Sequence, residues 1–369
     1  MPIILFPGFI SSENKKVDSM RMNVITVKTS DDFNAGGKAP NDIVEILKST
    51  YNCRSTVFEN YGSSNNKLIK LFKRIKKTFR FPYEFIKSRI KKEVVVLQFP
   101  LFETTKLLNK FLLFSMNFLD YNKTIILIHD LEGIRNKNDI LKKQELDRFK
   151  KAKYLIVHND VMKNIVLKDD IKNKIYVLEL FDYLCNEKNE RKNCLKKEPM
   201  IVYAGNLAKV KSPFLHSLET KKMKFKLNVY GVGIDDNIND KIIYLNKYNP
   251  NELPLKLKGD LGLIWDGEID GRDENIGMKC YTKINNPHKL SCYIAASLPV
   301  IAWQKSAISH FIKKYNVGYL IDNIYDINNL NLSDYTEKLN NVKKIQGNVI
   351  NGYYTKKVID DILDDMKLP

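Results

Sequence analysis

The chain has 369 residues, 44% of them hydrophobic, which is enough for two α/β domains and too apolar for a chain that is disordered throughout. Its formal net charge of +18 calls for an anionic partner, either a phosphorylated substrate, an anionic membrane surface or nucleic acid. Five scattered cysteines show no zinc or redox spacing and no apolar run reaches the roughly 18 to 20 residues of a membrane span, so we expect a cytoplasmic protein with reduced thiols.

The folded pattern starts near Met22, and residues 1–19 are interpreted as an extension of undetermined role rather than a signal peptide. Five strand-like runs follow, separated by helix-length polar or amphipathic stretches. They are β-branched and almost continuously apolar, which is typical of buried parallel strands in a doubly wound sheet. The runs are NVITVKT (23–29), VVVLQFP (94–100), TIILIHD (124–130), YLIVHND (154–160) and KIYVLEL (174–180). We predict a Rossmann-like domain over residues 20–182.

A glycine-containing loop, TSDDFNAGGKAPND (29–42), follows the first strand. Gly36 and Gly37 give the backbone the freedom to approach a ligand closely. Asp31, Asp32 and Lys38 add polar groups to the same segment. An ordinary flexible turn is the alternative interpretation.

The stretch KLIKLFKRIKKTFRFPYEFIKSRIKK (67–92) is unusually basic. Residues 67–93 hold 11 basic and two acidic side chains, about half of the excess positive charge of the chain. Apolar residues recur at helical spacing, and Pro82 is expected to interrupt the helix. A basic amphipathic helix suits the surface of an anionic membrane. The alternatives are a helix whose apolar face packs on the first sheet, and a nucleic-acid contact, for which no binding motif is present.

The strand at 124–130 ends in His129 and Asp130, and Glu132 follows. Residues at the carboxyl ends of parallel strands face the ligand cleft of such a domain. A histidine with a purely structural hydrogen bond is the alternative interpretation.

Residues 185–198 are rich in Lys and Asn and almost free of apolar residues, so we interpret them as a linker. The strand rhythm then restarts, and we predict a second α/β domain over residues 199–345, followed by a C-terminal helix over 346–369. The second set of runs is MIVYAGN (200–206), KLNVYGVG (226–233), KIIYL (241–245), LGLIWDG (261–267), LPVIAW (298–303) and VGYLID (317–322).

Two segments of the second half are suited to an anionic ligand. In YAGNLAKVKSPF (203–214) a strand ends at Gly205 and Asn206, and Lys211 follows. A plain strand-to-helix turn is the alternative here. In KINNPHKLSCYIAASLPVIAW (283–303), Asn285 or Asn286 is expected to cap a helix with Pro287 in its first turn.

In that second segment, His288 and Lys289 would also lie in the first turn of the helix. A cation there opposes the helix dipole unless an anion binds at the same place. A surface helix with an accidental basic start is the alternative interpretation.

The segment NNPHKLSCYIAASLPVIAW resembles the donor-site helix of a bacterial glycosyltransferase family of the GT-B fold. That family comprises galactofuranosyltransferases of surface polysaccharides and related glucosyltransferases that extend glycans on serine-rich repeat adhesins. The similarity covers most of the chain in the expected order, including NAGGKAPNDIVEIL (34–47), IILIHDLEGIR (125–135), LELFDYL (178–184) and LGLIWDG.

The resemblance implies two Rossmann-like domains that face each other across a cleft, with a UDP-sugar in the second domain. It places the diphosphate against Asn286, His288 and Lys289, with Gly205 and Asn206 facing it. It places the uridine near Gly231 and Tyr248. Lys211 and Asn285, which belong to the same two segments, complete the predicted donor-binding residues. The first domain would bind the acceptor through Asn34, Gly36, Gly37 and Lys38. The paired-glutamate motif of many retaining GT-B enzymes is absent, since residues 292–297 contain no carboxylate.

An inverting transfer needs a general base for the acceptor hydroxyl, and the candidates are Asp32, His129, Asp130 and Glu132. The GT-B arrangement stabilises the leaving group with basic residues rather than a metal ion. No Asp-x-Asp run follows a strand, so we expect neither a metal nor a cofactor besides the UDP-sugar.

The sequence therefore predicts a metal-independent transfer of a galactofuranosyl or glucosyl group from a UDP-sugar to a saccharide acceptor in surface polysaccharide synthesis. A polyprenyl-linked acceptor and an anionic membrane surface at the inner face of the cell membrane fit the basic stretch, and self-association fits the resemblance. The alternative substrate is an O-glycan on a serine-rich repeat adhesin. The alternative of another class is a catalytically silent scaffold for a partner glycosyltransferase.

Overall fold

Two six-stranded parallel sheets organise the molecule, which we describe from a computed structural model. The description covers residues 20–28, 35–59, 67–101, 106–169, 171–189, 195, 198–234, 239–270 and 281–367. Two of the predicted site residues, Asp32 and Asn34, lie outside the described residues.

The first sheet has the strand order β2-β1-β3-β4-β5-β6 and is parallel throughout. Its strands are β1 (Met22–Lys28), β2 (Cys53–Glu59), β3 (Val94–Phe99), β4 (Thr124–Ile128), β5 (Tyr154–Val157) and β6 (Lys174–Val177). β3, β4 and β5 are buried along their whole length, as their almost continuously apolar sequences predict. The sequence patterns do not predict β2, because polar residues interrupt its apolar run; it forms an edge of the sheet.

The second sheet has the order β12-β11-β10-β7-β8-β9 and is also parallel. Its strands are β7 (Met200–Asn206), β8 (Lys226–Val232), β9 (Ile242–Tyr244), β10 (Leu261–Ile264), β11 (Val300–Trp303) and β12 (Gly318–Ile321). Each of them corresponds to a predicted run. The expectation of two parallel-sheet α/β halves is confirmed.

Helices cover the faces of both sheets. They are α1 (Lys38–Thr50), α2 (Lys67–Ile90), α3 (Lys106–Ser115), α4 (Glu132–Arg135), α5 (Asp139–Phe149), α6 (Asp160–Leu167), α7 (Pro213–Ser217), α8 (Leu253–Lys256), α9 (Lys289–Ala295), α10 (Ser309–Tyr315), α11 (Tyr335–Ile350) and α12 (Tyr353–Lys367). Within the described ranges, no helix is both long and apolar enough to cross a membrane.

The basic stretch forms one continuous helix, α2, with Pro82 inside it, so the predicted interruption is wrong. Phe81 and Phe85 are both buried, and Phe81 stacks on Phe58 of β2 with ring centroids 4.0 Å apart. Packing of these two phenylalanines on one core offsets the backbone hydrogen bond that the proline removes.

The last helix, α12, packs against the first domain although it follows the second in sequence. The hydroxyl of Tyr51 donates to Asp360 at 2.7 Å, and the hydroxyl of Tyr176 donates to Asp365 at 2.7 Å. The carboxylate of Asp182, in the connection between the domains, accepts hydrogen bonds from the first backbone amides of α12. These contacts hold the two domains on either side of a shared interface.

Candidate functional site

Two neighbouring strands of the second sheet, β7 and β8, carry glycines that stand side by side near their carboxyl ends. Gly205 pairs with Gly231 in the strand register, and Gly231 has a φ of +141°. A Cβ on Gly231 would lie 1.8 Å from the carbonyl oxygen of Gly205, so any other residue at this position would clash with the backbone of β7. The paired glycines leave a stretch of backbone without side chains that a ligand can approach closely, and we call it the glycine floor.

Lys289, the first residue of α9, lies against this floor, and a Cβ on Gly205 would be 3.0 Å from its Cε. The ammonium group donates to Asp266 Oδ1 at 2.9 Å and to the Tyr203 hydroxyl at 3.2 Å. Burial lowers the pKa of Lys289, but attraction by the Asp266 carboxylate more than offsets burial and leaves that pKa above its ordinary value. Lys289 is therefore a fixed cation at physiological pH.

A cavity of about 180 Å³ opens beside the floor, and we call it the tyrosine cavity. Tyr183, Tyr230 and Tyr248 line it, and their rings provide faces and edges against which a planar group can pack. The predicted site residues that line it are Gly205, Asn206, Gly231, Tyr248, His288 and Lys289. The structure thus brings most of the predicted donor-binding residues together.

His288 is an uncharged member of the tyrosine cavity. Its Nε2 lies 3.0 Å from the carbonyl oxygen of Asp182, so this nitrogen carries the proton and donates. Burial lowers the pKa of His288 to about 4, which keeps the ring neutral at physiological pH. Its Nδ1 is buried and has no hydrogen-bond partner in the described part of the chain. His288 therefore offers a hydrogen-bond acceptor instead of a second cation beside Lys289.

A second cavity, of about 230 Å³, adjoins the first at Lys289 and is called the inter-domain cavity. Its charged lining residues come from both domains: Arg135 from the first, and Lys211, Asp266, Glu268 and Lys289 from the second. Asn285 also lines it, and the buried Oδ1 of that residue lacks a partner among the residues described. Asn206 and Lys289 line both cavities, so the two share one boundary.

Asn286 is placed differently from its neighbours, because its amide group joins the two domains. Its Nδ2 donates to the carbonyl oxygens of His158 and Glu179, and its Oδ1 accepts from Asn159 at 2.7 Å. Asn286 is 5% exposed and is absent from the lining of either cavity. The predicted capping role is wrong, since α9 begins at Lys289 and no side chain of the described residues caps it.

Three of the candidate bases, His129, Asp130 and Glu132, lie in the described part of the chain, and none of them lines the inter-domain cavity. His129 lies 2.6 Å from Gln98 Oε1 through its Nε2, and burial, aided by the nearby histidines, lowers its pKa to about 3. Burial raises the pKa of Asp130 to about 6, against the opposing effect of Arg135. Arg135 Nη1 lies 3.4 Å from Asp130 Oδ2 and 3.3 Å from Glu132 Oε1. Arg135 thus connects both carboxylates to the cavity that it lines.

The predicted acceptor loop contributes a buried ion pair. Gly36 and Gly37 form a short 3₁₀ turn, and Lys38 begins α1. Lys38 donates to Asp42 at 2.6 Å and to the carbonyl oxygen of Leu184 at 2.9 Å, and its ammonium lies 4.9 Å from the ring centre of Tyr183. The side chain therefore supports a wall of the tyrosine cavity from behind.

Several residues of the site were not singled out from the sequence, among them Arg135, Tyr183 and Asp266. Asp266 follows the buried strand β10 in the sequence LGLIWDG, and an acidic residue after a buried parallel strand is a signal that could have identified it. Arg135 and Tyr183 follow no strand directly, and only the folded chain shows that they reach the cavities. No group of three or more His, Cys, Asp or Glu side chains suited to a metal ion occurs among the described residues.

Family models match both halves of the chain. The description "Glucosyltransferase 3-like, N-terminal domain" matches residues 22–180, and "Glucosyltransferase 3-like, C-terminal domain" matches residues 201–362. The β-1,6-galactofuranosyltransferase WbbI of Escherichia coli K12 is 28% identical over 340 residues, covering 90% of this chain and 96% of the relative. Glucosyltransferase 3 of Streptococcus gordonii is 25% identical over 246 residues, covering 65% of this chain and 70% of the relative.

Solved structures share the fold at low sequence identity. The Anabaena protein HepE, solved in complex with UDP and glucose, has a TM-score of 0.58 at 10% identity, covering 93% of this chain and 100% of HepE. Sucrose-phosphate synthase of Thermosynechococcus elongatus has a TM-score of 0.57 at 11% identity, covering 94% of this chain and 97% of that protein. The GT-B fold expected from the sequence is confirmed.

Proposed function

The chain belongs to the glucosyltransferase 3-like family, and from this premise we propose that it transfers a hexosyl group from a UDP-sugar to a saccharide acceptor. The transferred group is galactofuranosyl or glucosyl, in keeping with the names of the two relatives. The product belongs to a surface polysaccharide or another glycoconjugate.

The position of Lys289 on the boundary between two cavities carries this proposal. A UDP-sugar has a planar base at one end, a sugar at the other and an anionic diphosphate between them. The tyrosine cavity suits the base and its ribose, because it combines aromatic walls with His288 Nδ1, an acceptor that no described residue satisfies. The fixed charge of Lys289 suits the diphosphate, and the glycine floor leaves room for it.

In the transfer, the bond between the anomeric carbon of the sugar and the UDP oxygen breaks, and the acceptor oxygen bonds to that carbon. UDP leaves as an anion, and Lys289 stabilises the charge that develops on it. The acceptor proton passes to a carboxylate, for which we favour Asp130, because its pKa of about 6 leaves it ionised at neutral pH. Lys211 and Arg135 also line the inter-domain cavity, so the scheme needs no metal ion.

One face of α2 supports an acceptor at a membrane surface. Phe79, Tyr83, Ile86 and Ile90 are spaced by four, three and four residues, so they lie on one face, and we call them the exposed stripe. All four are exposed, with Phe79 at 67% and Ile90 at 76%. They are distinct from Phe81 and Phe85, which fill the core, so the helix is apolar on two faces.

Basic residues flank the exposed stripe: Lys76, Arg80, Lys87 and Arg89. An apolar face bordered by cations matches the interface of an anionic bilayer, where each basic side chain contributes about 1 kcal/mol. We infer that the enzyme acts at the inner face of the cell membrane on a polyprenyl-linked saccharide. An O-glycan on a serine-rich repeat adhesin is the alternative acceptor.

Isothermal titration calorimetry in EDTA tests the donor site with UDP, UDP-glucose, UDP-galactopyranose and UDP-galactofuranose. We expect metal-free binding of UDP species that falls at least about tenfold in Lys289→Met, since a charge-assisted contact is lost. Lys209→Met is the matched control, because Lys209 is exposed and lines neither cavity. If the wild type binds none of these compounds, the silent-scaffold alternative replaces the enzyme.

A further inference from the structure

Asp266 is held by Lys289 in a way that leaves half of its carboxylate unused. Oδ1 accepts the hydrogen bond of Lys289 at 2.9 Å, while Oδ2 has no hydrogen-bond partner within the described ranges. The Asp266 side chain is 35% exposed, and it lines the inter-domain cavity but not the tyrosine cavity. Asp266 thus stands on the side of Lys289 that faces away from the aromatic walls.

The arrangement of the two cavities on either side of Lys289 determines which part of the proposed UDP-sugar lies in the inter-domain cavity. With the base among the tyrosines and the diphosphate at Lys289 and Asn206, the remaining part of the donor extends past Lys289. It then enters the inter-domain cavity, where Arg135 of the first domain faces it. This part of the donor is the sugar, whose hydroxyl groups are hydrogen-bond donors.

Two hydrogen-bond acceptors in the lining of the inter-domain cavity have no donor among the residues that the structure describes. One is the buried Asn285 Oδ1. The other is Asp266 Oδ2, since the bond from Lys289 goes to Oδ1. A carboxylate can only accept, so it pairs with a hydroxyl and repels a phosphate. The cavity therefore favours a ligand whose hydroxyl-bearing ring, rather than its phosphate, lies beside Asp266.

Resting on the function proposed above, we propose that Asp266 is a specificity-determining residue that reads the hydroxyl groups of the transferred sugar. Without a donor, its carboxylate keeps Lys289 in place over the glycine floor. When the diphosphate takes over Lys289, the carboxylate is released and accepts hydrogen bonds from the sugar. Recognition of the sugar is thereby coupled to binding of the diphosphate.

The test compares the affinities of wild type and Asp266→Asn for UDP and for the UDP-sugar that the wild type uses. We expect the affinity for UDP to stay within about threefold or to rise, because Lys289 loses a competing partner. We expect the affinity for the UDP-sugar to fall at least about tenfold, because a hydroxyl loses a charged acceptor. Asp240→Asn, an exposed carboxylate outside both cavities, is the matched control.

A purely structural role of Asp266 predicts equal changes for UDP and the UDP-sugar, and that result would overturn the proposal while leaving the enzyme intact. Absence of UDP binding by the wild type would instead contradict the proposed function. Asp266→Glu keeps the charge and covers the case in which Asp266→Asn does not fold. It should retain UDP affinity and change the ratio of kcat/KM values between two hexoses, and an unchanged ratio would also overturn the proposal.

Discussion

Gly231 and Gly205 are matched across two neighbouring strands so closely that a Cβ on Gly231 would lie 1.8 Å from the Gly205 carbonyl oxygen. A Cβ on Gly205 would instead meet the movable end of Lys289, at 3.0 Å from its Cε. The two glycines therefore have different roles, one in strand packing and one in ligand binding. Gly231 permits the strands to lie side by side, and Gly205 leaves space for the lysine and its ligand.

We predict that Gly231→Ala lowers the free energy of unfolding by about 2 to 4 kcal/mol, because it combines a backbone clash with a φ unsuited to alanine. Gly205→Ala should fold normally and bind UDP about tenfold more weakly, because Lys289 is displaced. Denaturant unfolding and UDP titration measure the two effects. Gly347→Ala in α11 is the control, since a Cβ there meets open space. Wild-type UDP affinity in Gly205→Ala would contradict the proposed position of the diphosphate.

Asn286→Ala should cost stability rather than ligand affinity. The substitution leaves the side-chain amide of Asn159 and two backbone carbonyls without their partner in a buried interface, at a cost of about 2 to 3 kcal/mol. UDP affinity should stay within about threefold, because Asn286 lines neither cavity. Asn285→Ala, one residue earlier, should leave stability nearly unchanged, since its Oδ1 has no partner in the described chain. If Asn286→Ala is stable but no longer binds UDP, the result would contradict this prediction and support the contact between Asn286 and the diphosphate that the sequence predicts.

The strands and the Asn-Pro-His-Lys segment could be predicted from the sequence, because each is specified by residues that are adjacent in the chain. Buried parallel strands need apolar β-branched runs, and a ligand-approaching strand end needs glycine, as at Gly205. The state of His288 could not be predicted in this way, because burial among residues of other segments makes it neutral. The position of Asp266 after a buried strand is a local signal, but its ion pair with Lys289, 23 positions later, appears only in the folded chain. Asn286 likewise owes its interface role to partners on the other domain.

The rate of transfer should depend on the ionisation of Asp130. Because burial raises the pKa of Asp130 to about 6 and a base must be unprotonated, kcat/KM should fall as the pH drops below that value. Arg135 lowers this pKa, so Arg135→Gln should raise it and move the acid limb of the profile to higher pH. The measurement is the profile of kcat/KM against pH for the wild type and for Arg135→Gln. The quantity compared is the pH at which the acid limb falls, because this pH does not depend on the absolute rate of either protein.

Asp130→Asn provides the second arm of the same experiment. It should lower kcat by about 10² to 10⁴ while UDP affinity is unchanged, since the base does not contact the nucleotide. A normal rate in Asp130→Asn, or an unshifted acid limb in Arg135→Gln, would exclude Asp130 as the general base. Asp32 and Glu132 would then be the remaining candidate carboxylates.

The exposed stripe of α2 should bind anionic membranes. We predict that the wild type sediments with phosphatidylglycerol-rich vesicles, and much less with pure phosphatidylcholine, and that salt weakens the binding because exposed charges are screened. Phe79→Ser/Ile90→Ser should abolish the binding, because two large apolar side chains no longer enter the interface. Ile140→Ser, an equally exposed isoleucine on α5, is the control.

Transfer to a water-soluble acceptor should be the same in the wild type, the double variant and the control, because α2 contributes no lining residue to either cavity. Vesicle binding that survives the double substitution, or that ignores lipid charge, would rule out the stripe as the docking surface and favour a soluble acceptor such as an adhesin glycan.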